Sequence, residues 1–174
     1  MREPTWRREC IYHLSWERLD ALCTSLYQRI GADGFEPDII VAIARGGLVP
    51  GVRLSHLFSV EAFEVATIQK NLTSERYSAR GRAVVKAFSQ LMRDGRVLVV
   101  DDIVGSGDTL RVACQALDIP PERLRTASLF VNDSCDAPPD YYERRVDDWV
   151  VFPWEMPPAA LVGDSCSDLP IQHL

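Results

Sequence analysis

The sequence predicts a single α/β domain with a central, mostly parallel sheet flanked by helices. Short apolar runs rich in β-branched residues alternate along the chain with segments whose apolar residues recur at helical spacing. Several of these runs are continuously apolar, which is typical of strands covered by helices on both faces. The chain has 174 residues, 47% of them hydrophobic, which suits one compact core.

The first half of the chain contains two helices and two strands. Ser15 is predicted to cap a helix that ends at Gly31, because apolar residues recur between them at helical spacing. The run DIIVAIA, residues 38 to 44, is predicted as a buried strand, and a short helix is expected to follow Pro50. The alternating segment EAFEVAT, residues 61 to 67, is predicted as the second strand.

The second half begins with a long polar segment. Residues 68 to 83 are aperiodic, and a loop of that length inside a compact domain is usually functional or disordered. A helix is predicted over residues 84 to 92, and RVLVVDD, residues 96 to 102, is predicted as the third strand. A further helix is predicted over residues 109 to 117. Two further strands are predicted, over residues 125 to 131 and 149 to 152.

Composition excludes several classes of function. The 25 acidic residues outnumber the 19 lysines and arginines, which argues against a nucleic-acid partner bound through its phosphates. The five cysteines are odd in number and form no C-x-x-C pair, so neither a disulfide framework nor a zinc site is expected. The sequence has no apolar stretch of about 18 residues and no signal-like start, so we expect a cytoplasmic location and no membrane partner.

The stretch VLVVDDIVGSGDTL, residues 97 to 110, carries the strongest functional signal. Asp101 and Asp102 end the third strand, and ligands of parallel sheets bind beyond the carboxyl ends of the strands. A glycine-rich turn then opens a helix, where backbone N–H groups and the helix dipole favour a phosphate. The turn consists of Gly105, Ser106, Gly107, Asp108 and Thr109. The structural alternative is an ordinary turn after two aspartates that merely cap a strand.

This stretch resembles the signature of the type I phosphoribosyltransferase family. The matching pattern is four apolar residues, two acidic residues, two apolar residues and a short loop that ends in Gly-x-Thr. The resemblance implies a type I phosphoribosyltransferase-like fold, with a small hood from the terminal segments. It also implies a reaction on phosphoribosyl pyrophosphate (PRPP), with Asp101 and Asp102 holding the ribose hydroxyls and Mg²⁺. The turn of residues 105 to 109 would then hold the 5-phosphate.

A second segment, AIARGGLVPG at residues 42 to 51, is similar to the pyrophosphate loop of bacterial xanthine-guanine phosphoribosyltransferases. The similarity implies that Arg45 and Gly46 bind pyrophosphate, that Arg45 is catalytic, and that a cis peptide joins Ala44 to Arg45. The polar segment 68 to 83 would be a mobile lid. Which of its basic residues contacts the ligand stays open among Lys70, Arg76, Arg80 and Arg82.

The C-terminal stretch WVVFPWE, residues 149 to 155, resembles the tail of small purine phosphoribosyltransferases. This match implies that Trp149 stacks on the base, that Val150 reads its edge through the backbone, and that Glu155 lies in the closing turn of the base site. Asn132, which follows the fourth strand, is expected at the same site, and a homodimer is expected from the fold. Ordinary core packing is the alternative for Trp149 and for Trp154. The expected domain covers residues 1 to 155, with a hood from the N-terminal segment and residues 132 to 155. Residues 156 to 174 form a tail of open role.

Two positions depart from the family pattern and leave the substrate open. Gly105 replaces an aspartate that usually bonds the purine N7, and Asn132 replaces a lysine that usually donates to O6 of a 6-oxopurine. The chain could have lost catalysis and become a PRPP or nucleotide sensor, or its base could need no protein carboxylate. A 7-substituted 7-deazapurine, or a 6-thio or 6-amino purine, would fit both changes. An interaction module on the same fold is a third class of function.

Overall fold

The computed structural model describes residues 6, 11–70, 83–87 and 94–155, with only the backbone for 69, 70 and 83–87. The strands in these ranges are β1 (Ile11–His13), β2 (Ile39–Ala44), β3 (Ala62–Lys70), β4 (Ala83–Ala87), β5 (Val97–Val104), β6 (Leu124–Asn132), β7 (Tyr141–Val146) and β8 (Trp149–Val151). The helices are α1 (Trp16–Ala32), α2 (Leu48–Phe58) and α3 (Asp108–Leu117), with a 3-10 turn over Pro121–Arg123.

The main sheet has six strands in the order β4, β3, β2, β5, β6, β7. All neighbours are parallel except β4, which runs antiparallel to β3. From β2 the chain passes through α2 to β3 on one side, and from β5 it passes through α3 to β6 on the other. The connections therefore diverge between β2 and β5. A crevice of this kind, at the carboxyl ends of diverging parallel strands, is where open α/β sheets bind ligands.

Two buried clusters cover the two faces of this sheet and confirm the predicted α/β class. One cluster joins β2 and β5 to helices α1 and α2, through residues that include Ile40, Leu98, Leu26 and Leu54. The other joins the same strands to α3, through residues that include Val41, Val99, Leu110 and Ala113. The central strands are continuously apolar because both of their faces lie against helices. None of the described helices is long and apolar enough to cross a membrane.

The helix boundaries follow local chemistry. The Ser15 side chain accepts a hydrogen bond from the Arg18 backbone N–H at 3.2 Å, which confirms the predicted cap of α1. Helix α2 begins at Leu48, before the predicted start after Pro50. Proline is tolerated there because the first N–H groups of a helix have no partner within the helix.

The prediction of a helix over residues 84 to 92 is wrong for its described part. Residues 83–87 form β4, which pairs with the end of β3, and β3 itself continues to Lys70. Adjacent β-branched valines favour an extended backbone, and the edge of β3 offers free hydrogen-bonding groups. Lys70 therefore belongs to a strand, whereas Arg76, Arg80 and Arg82 of the predicted lid lie outside the described residues.

The sequence prediction missed two short strands, and a third strand pairs in an unexpected place. Strand β8 was predicted, but it pairs in parallel with β1, a strand that was not predicted. The two form a separate sheet in which Ile11 lies opposite Trp149. This sheet corresponds to the small hood expected from the terminal segments. Strand β7 was also missed, and it joins the main sheet beside β6 rather than the hood. Strands of three to six residues with distant partners leave little signal in the sequence.

Two helical glycines give opposite predictions for alanine substitution. A Cβ at Gly51 would lie 2.8 Å from the Ala42 Cβ, so Gly51→Ala overpacks the α2–β2 contact and should lower the free energy of unfolding by about 1–3 kcal/mol. At Gly31 a Cβ would meet nothing within 4 Å, so Gly31→Ala should raise stability by about 0.5–1 kcal/mol. Urea unfolding of both variants measures the contrast, and equal effects would contradict the close α2–β2 packing.

Candidate active site

The turn after β2 packs directly on the end of β5 through two glycines. A Cβ added at Gly46 would overlap the carboxylate of Asp102. A Cβ added at Gly47 would lie 2.5 Å from the Val100 carbonyl oxygen and 2.9 Å from the Asp101 Cα. The structure therefore brings together the Arg-Gly-Gly and Asp-Asp motifs, which are far apart in the sequence. Only residues without a side chain allow this approach.

The two aspartates lie inside β5, which continues to Val104, two residues beyond its predicted end. Asp101 is 9% exposed, and its carboxylate accepts a hydrogen bond of 3.0 Å from the Asp102 N–H. The Asp102 carboxylate accepts one of 2.8 Å from the Ile103 N–H. Burial raises the pKa of Asp102 above its ordinary value. The hydrogen bonds to its carboxylate lower this pKa but do not cancel the effect of burial, and the negative charge of Glu155 raises the pKa slightly further.

Arg45 lies in the turn between β2 and α2. The peptide between Ala44 and Arg45 is cis, which confirms that prediction. Arg45 is exposed, and its carbonyl accepts a bond of 3.2 Å from the Leu48 N–H at the start of α2. In the described part of the chain its guanidinium forms no ion pair. The side chain is therefore available to an anion from outside the protein.

The glycine-rich turn leads into α3, which begins at Asp108, one residue before its predicted start. Gly107 is the N-cap residue with φ of 85°, and it makes no side-chain capping bond to the helix. The Asp108 N–H donates to the Ser106 hydroxyl at 3.4 Å, and the next N–H groups of the first turn can serve a ligand. Ser106 donates its hydroxyl to Asp108 at 3.0 Å, and Asp108 also pairs with Arg111 at 3.1 Å. Sequence analysis missed Arg111, although its i, i+3 spacing from Asp108 is a recognisable signal.

Residues 149 to 155 include side chains buried in the core and side chains that are partly exposed. Val150 is buried in the core, and Trp149 is half-buried on β8. Trp154 stacks on Phe152 with ring centroids 4.8 Å apart, so its contacts agree with the core-packing alternative. The Glu155 carboxylate accepts a bond of 3.2 Å from the Phe152 N–H, which closes the turn beside Asp102.

Asn132 does not present its side chain to the crevice. The residue is 0% exposed, and its Oδ1 accepts hydrogen bonds from the backbone N–H and the hydroxyl of Ser134, at 2.9 and 2.5 Å. A fully buried amide cannot touch a base in this conformation. The expectation that Asn132 reads the 6-substituent therefore loses its geometric basis.

The donor set in the crevice fits magnesium held jointly with a substrate. Within the part of the chain that the structure describes, no three His, Cys, Asp or Glu side chains converge as a metal cluster. Asp101 and Asp102 can supply carboxylate oxygens, and Mg²⁺ commonly binds one or two carboxylates while keeping water and phosphate as its other ligands. A dedicated cage built only from protein ligands is not required.

The fold defines an α/β class of protein in which ligands bind at the carboxyl ends of diverging parallel strands, here the β2–β5 crevice. Residues 15–160 match the family described as phosphoribosyl transferase domain, and the chain belongs to this family. It is a phosphoribosyltransferase by family and fold.

Individual relatives agree with this family. The chain is 30% identical to a xanthine-guanine phosphoribosyltransferase from Cereibacter sphaeroides, over 83% of this chain and 87% of the relative. It is 30% identical to a purine phosphoribosyltransferase structure from Pyrococcus horikoshii, with a TM-score of 0.72 over 85% of this chain and 95% of that one. A xanthine-guanine-hypoxanthine phosphoribosyltransferase from Helicobacter pylori shares the fold, with a TM-score of 0.73 at 23% identity over 83% and 94% of the two chains.

Substitution of the two neighbouring glycines by alanine should separate fold from function. A methyl group at Gly47 meets rigid backbone, including the Ile43 carbonyl at 2.7 Å, so Gly47→Ala should cost about 3 kcal/mol of stability. Gly46→Ala meets only the end of the Asp102 side chain, which can rotate away. It should cost less than about 1 kcal/mol and reduce turnover about 10²-fold, because a displaced group in the site cannot orient substrate.

Urea unfolding and steady-state turnover measure the two effects, with Gly31→Ala as the control in a helix with open space. Wild-type turnover of Gly46→Ala would mean either that Gly46 does not lie against Asp102 or that Asp102 is not needed for turnover.

Proposed function

We propose that the protein transfers the ribose 5-phosphate of PRPP to a purine-like base and releases pyrophosphate, with Mg²⁺ as cofactor. The observation that carries the proposal is the contact of Gly46 and Gly47 with Asp101 and Asp102. It joins a turn suited to pyrophosphate to carboxylates suited to ribose hydroxyls, beside the N-terminus of α3. The purine specificity of the named relatives supports the choice of base.

In this reaction the bond from the ribose C1 to pyrophosphate breaks and a bond to a ring nitrogen of the base forms. The nitrogen's proton leaves to solvent or to a nearby base. Positive charge develops on the ribose ring and negative charge on the leaving group, so the protein contributes mainly orientation and electrostatics. When bound, Mg²⁺ supplies charge to the pyrophosphate oxygens.

Each named residue then has a role. Asp101 and Asp102 accept hydrogen bonds from the ribose hydroxyls and would hold Mg²⁺, and Arg45 and the Gly46 backbone receive the pyrophosphate. The turn of residues 105 to 109 binds the 5-phosphate through backbone N–H groups and hydroxyls. Trp149 stacks on the base, Val150 reads the edge of the base through its backbone groups because its side chain is buried, and Glu155 lies in the closing turn.

The identity of the base depends on Gly105. A glycine at this position leaves no carboxylate for the purine N7 and opens room for a substituent at position 7. Because Asn132 is buried, it no longer supports a 6-thio or 6-amino purine. We therefore narrow the hypothesis to a base that carries a substituent at position 7, such as a 7-substituted 7-deazapurine.

The alternative is a protein that binds PRPP or a nucleotide without catalysis. Gly105 is the observation that favours it, since loss of a needed general base typically costs about 10²- to 10⁴-fold in rate. The accessible Arg45 suits a ligand with a pyrophosphate group, so it favours the enzyme over a sensor of nucleotides that lack this group, and the panel of bases separates the enzyme from a PRPP sensor. A homodimer, a cytoplasmic location and a lid in residues 68 to 83 remain predictions.

Replacement of either aspartate by asparagine should remove activity but not the fold. Asp101→Asn and Asp102→Asn should each lower turnover at least about 10²-fold, because a neutral amide binds ribose hydroxyls and Mg²⁺ less well. Burial already raises the Asp102 pKa, so its charged form is disfavoured in the folded protein and a neutral isostere should change stability by less than about 1 kcal/mol.

Asp118→Asn is the matched control, since Asp118 is exposed and its φ of 53° suits asparagine. Turnover and thermal unfolding distinguish the roles. If both site variants lose activity only because they unfold, while Asp118→Asn stays folded, the pair is structural.

A panel of bases tests the substrate and the alternative together. Pyrophosphate release from PRPP and Mg²⁺ is measured with guanine, xanthine, hypoxanthine, adenine, 6-thioguanine and 7-cyano-7-deazaguanine. We expect the 7-substituted base to react best, and Gly105→Asp to shift preference toward guanine and xanthine by about 10²-fold, because it restores a carboxylate at N7. Equal or better wild-type activity on guanine would refute the substituted-base hypothesis. PRPP binding without pyrophosphate release on any base would favour the sensor.

A further inference from the structure

We infer that Asn132 is a positioning residue for the phosphate turn of residues 105 to 109, acting through the loop between β6 and β7. The inference rests on the proposed function for its effect on PRPP, whereas the physical link stands on contacts alone. It assigns to Asn132 a task different from reading the base. Three contacts connect Asn132 to the phosphate turn. Asn132 stabilises the turn after β6, Cys135 anchors that turn in the core, and the backbone of Ala137 lies against Gly107.

The capped turn is the first part. Asn132 is fully buried at the end of β6, and its Oδ1 accepts the two hydrogen bonds from Ser134. Its backbone carbonyl accepts a third bond, of 2.9 Å, from the Cys135 N–H. An asparagine whose side chain bonds the backbone two residues on mimics and stabilises a tight turn. The direction in which the chain leaves β6 therefore depends on this amide.

The buried anchor is the second part. Cys135 is 6% exposed and belongs to the same buried cluster as Val104 and Leu110, the residues that flank the phosphate turn on either side. The loop is also held to β7, because Asp133 donates its N–H to the Val146 carbonyl at 2.9 Å. Arg145 donates to the Asp133 carbonyl at 3.2 Å. The start of the loop is thus fastened to both the sheet and the α3 side of the core.

The backbone contact is the third part. A Cβ added at Gly107 would lie 2.6 Å from the Ala137 carbonyl oxygen, so the loop lies directly against the N-cap residue of α3. Gly107 has φ of 85°, a conformation that other residues rarely adopt. The loop and the phosphate turn are therefore in close backbone contact at Gly107 and Ala137.

Loss of the Asn132 amide should weaken PRPP binding without changing the choice of base. If the Asn132 amide is lost, the Ser134 N–H is left without its acceptor and the turn loosens. The Ala137 carbonyl then no longer supports Gly107, and the N–H groups that receive the 5-phosphate become less well ordered. A residue that contacted the base would instead change the preference among bases and leave the affinity for ribose phosphates unaltered.

Asn132→Ala tests this link with two readouts. Calorimetric titration with ribose 5-phosphate should show a dissociation constant raised about tenfold, while the ratio of kcat/KM between guanine and the other bases stays within about twofold. Hydrogen exchange should accelerate at the amides of residues 105 to 110 and 133 to 138, with no change in β2 and α2. Ser134→Ala removes one of the two bonds to Oδ1 and keeps the N–H donor, so it should give a smaller effect of the same kind.

Several results would overturn the inference. Altered base preference with wild-type ribose 5-phosphate affinity and wild-type exchange at residues 105 to 110 would identify Asn132 as a base contact. Faster exchange throughout the protein would identify a general role in folding. If Asn132→Ala does not fold, the Ser134→Ala exchange pattern decides. If the wild-type protein binds neither ribose 5-phosphate nor PRPP, the proposed function fails, while the exchange pattern still tests the link.

Discussion

The close approach of Gly46 and Gly47 to the end of β5 is the constraint on which the site depends. Neighbouring parallel strands lie about 4.8 Å apart, so a side chain at position 46 would overlap the Asp102 carboxylate and one at position 47 would meet the backbone of Val100 and Asp101. With glycine at both positions, the Arg45 turn and the two carboxylates face one crevice. The divergence of α2 and α3 from this point leaves the crevice uncovered by either connection.

The crevice combines groups of opposite charge within a protein whose net charge is −6. Arg45 and the N-terminus of α3 suit phosphates, whereas Asp101, Asp102 and Glu155 suit hydroxyls and a cation. Burial, with a smaller contribution from Glu155, raises the pKa of Asp102, which disfavours its carboxylate form.

The sequence predicted the elements that have a strong local signal. The apolar runs of β2, β5 and β6 and the capped helix α1 were confirmed, because continuous β-branched runs and a serine cap are local properties. Strands β1, β4 and β7 were missed or assigned wrongly, since their hydrogen bonds go to segments far away in the sequence. Asn132 was assigned to the base because its position in the chain matches a base-contacting residue, whereas its burial depends on the turn that it caps.

By itself, the sequence determined the α/β class, the two acidic residues at the end of a buried strand, and the two glycine-rich turns, because each is written in adjacent residues. It also determined the family, through the spacing of those residues. The tertiary structure alone decided that the two turns meet and that the β6–β7 loop lies on Gly107. Strand order and side-chain burial set these contacts. Both depend on the packing of the whole chain.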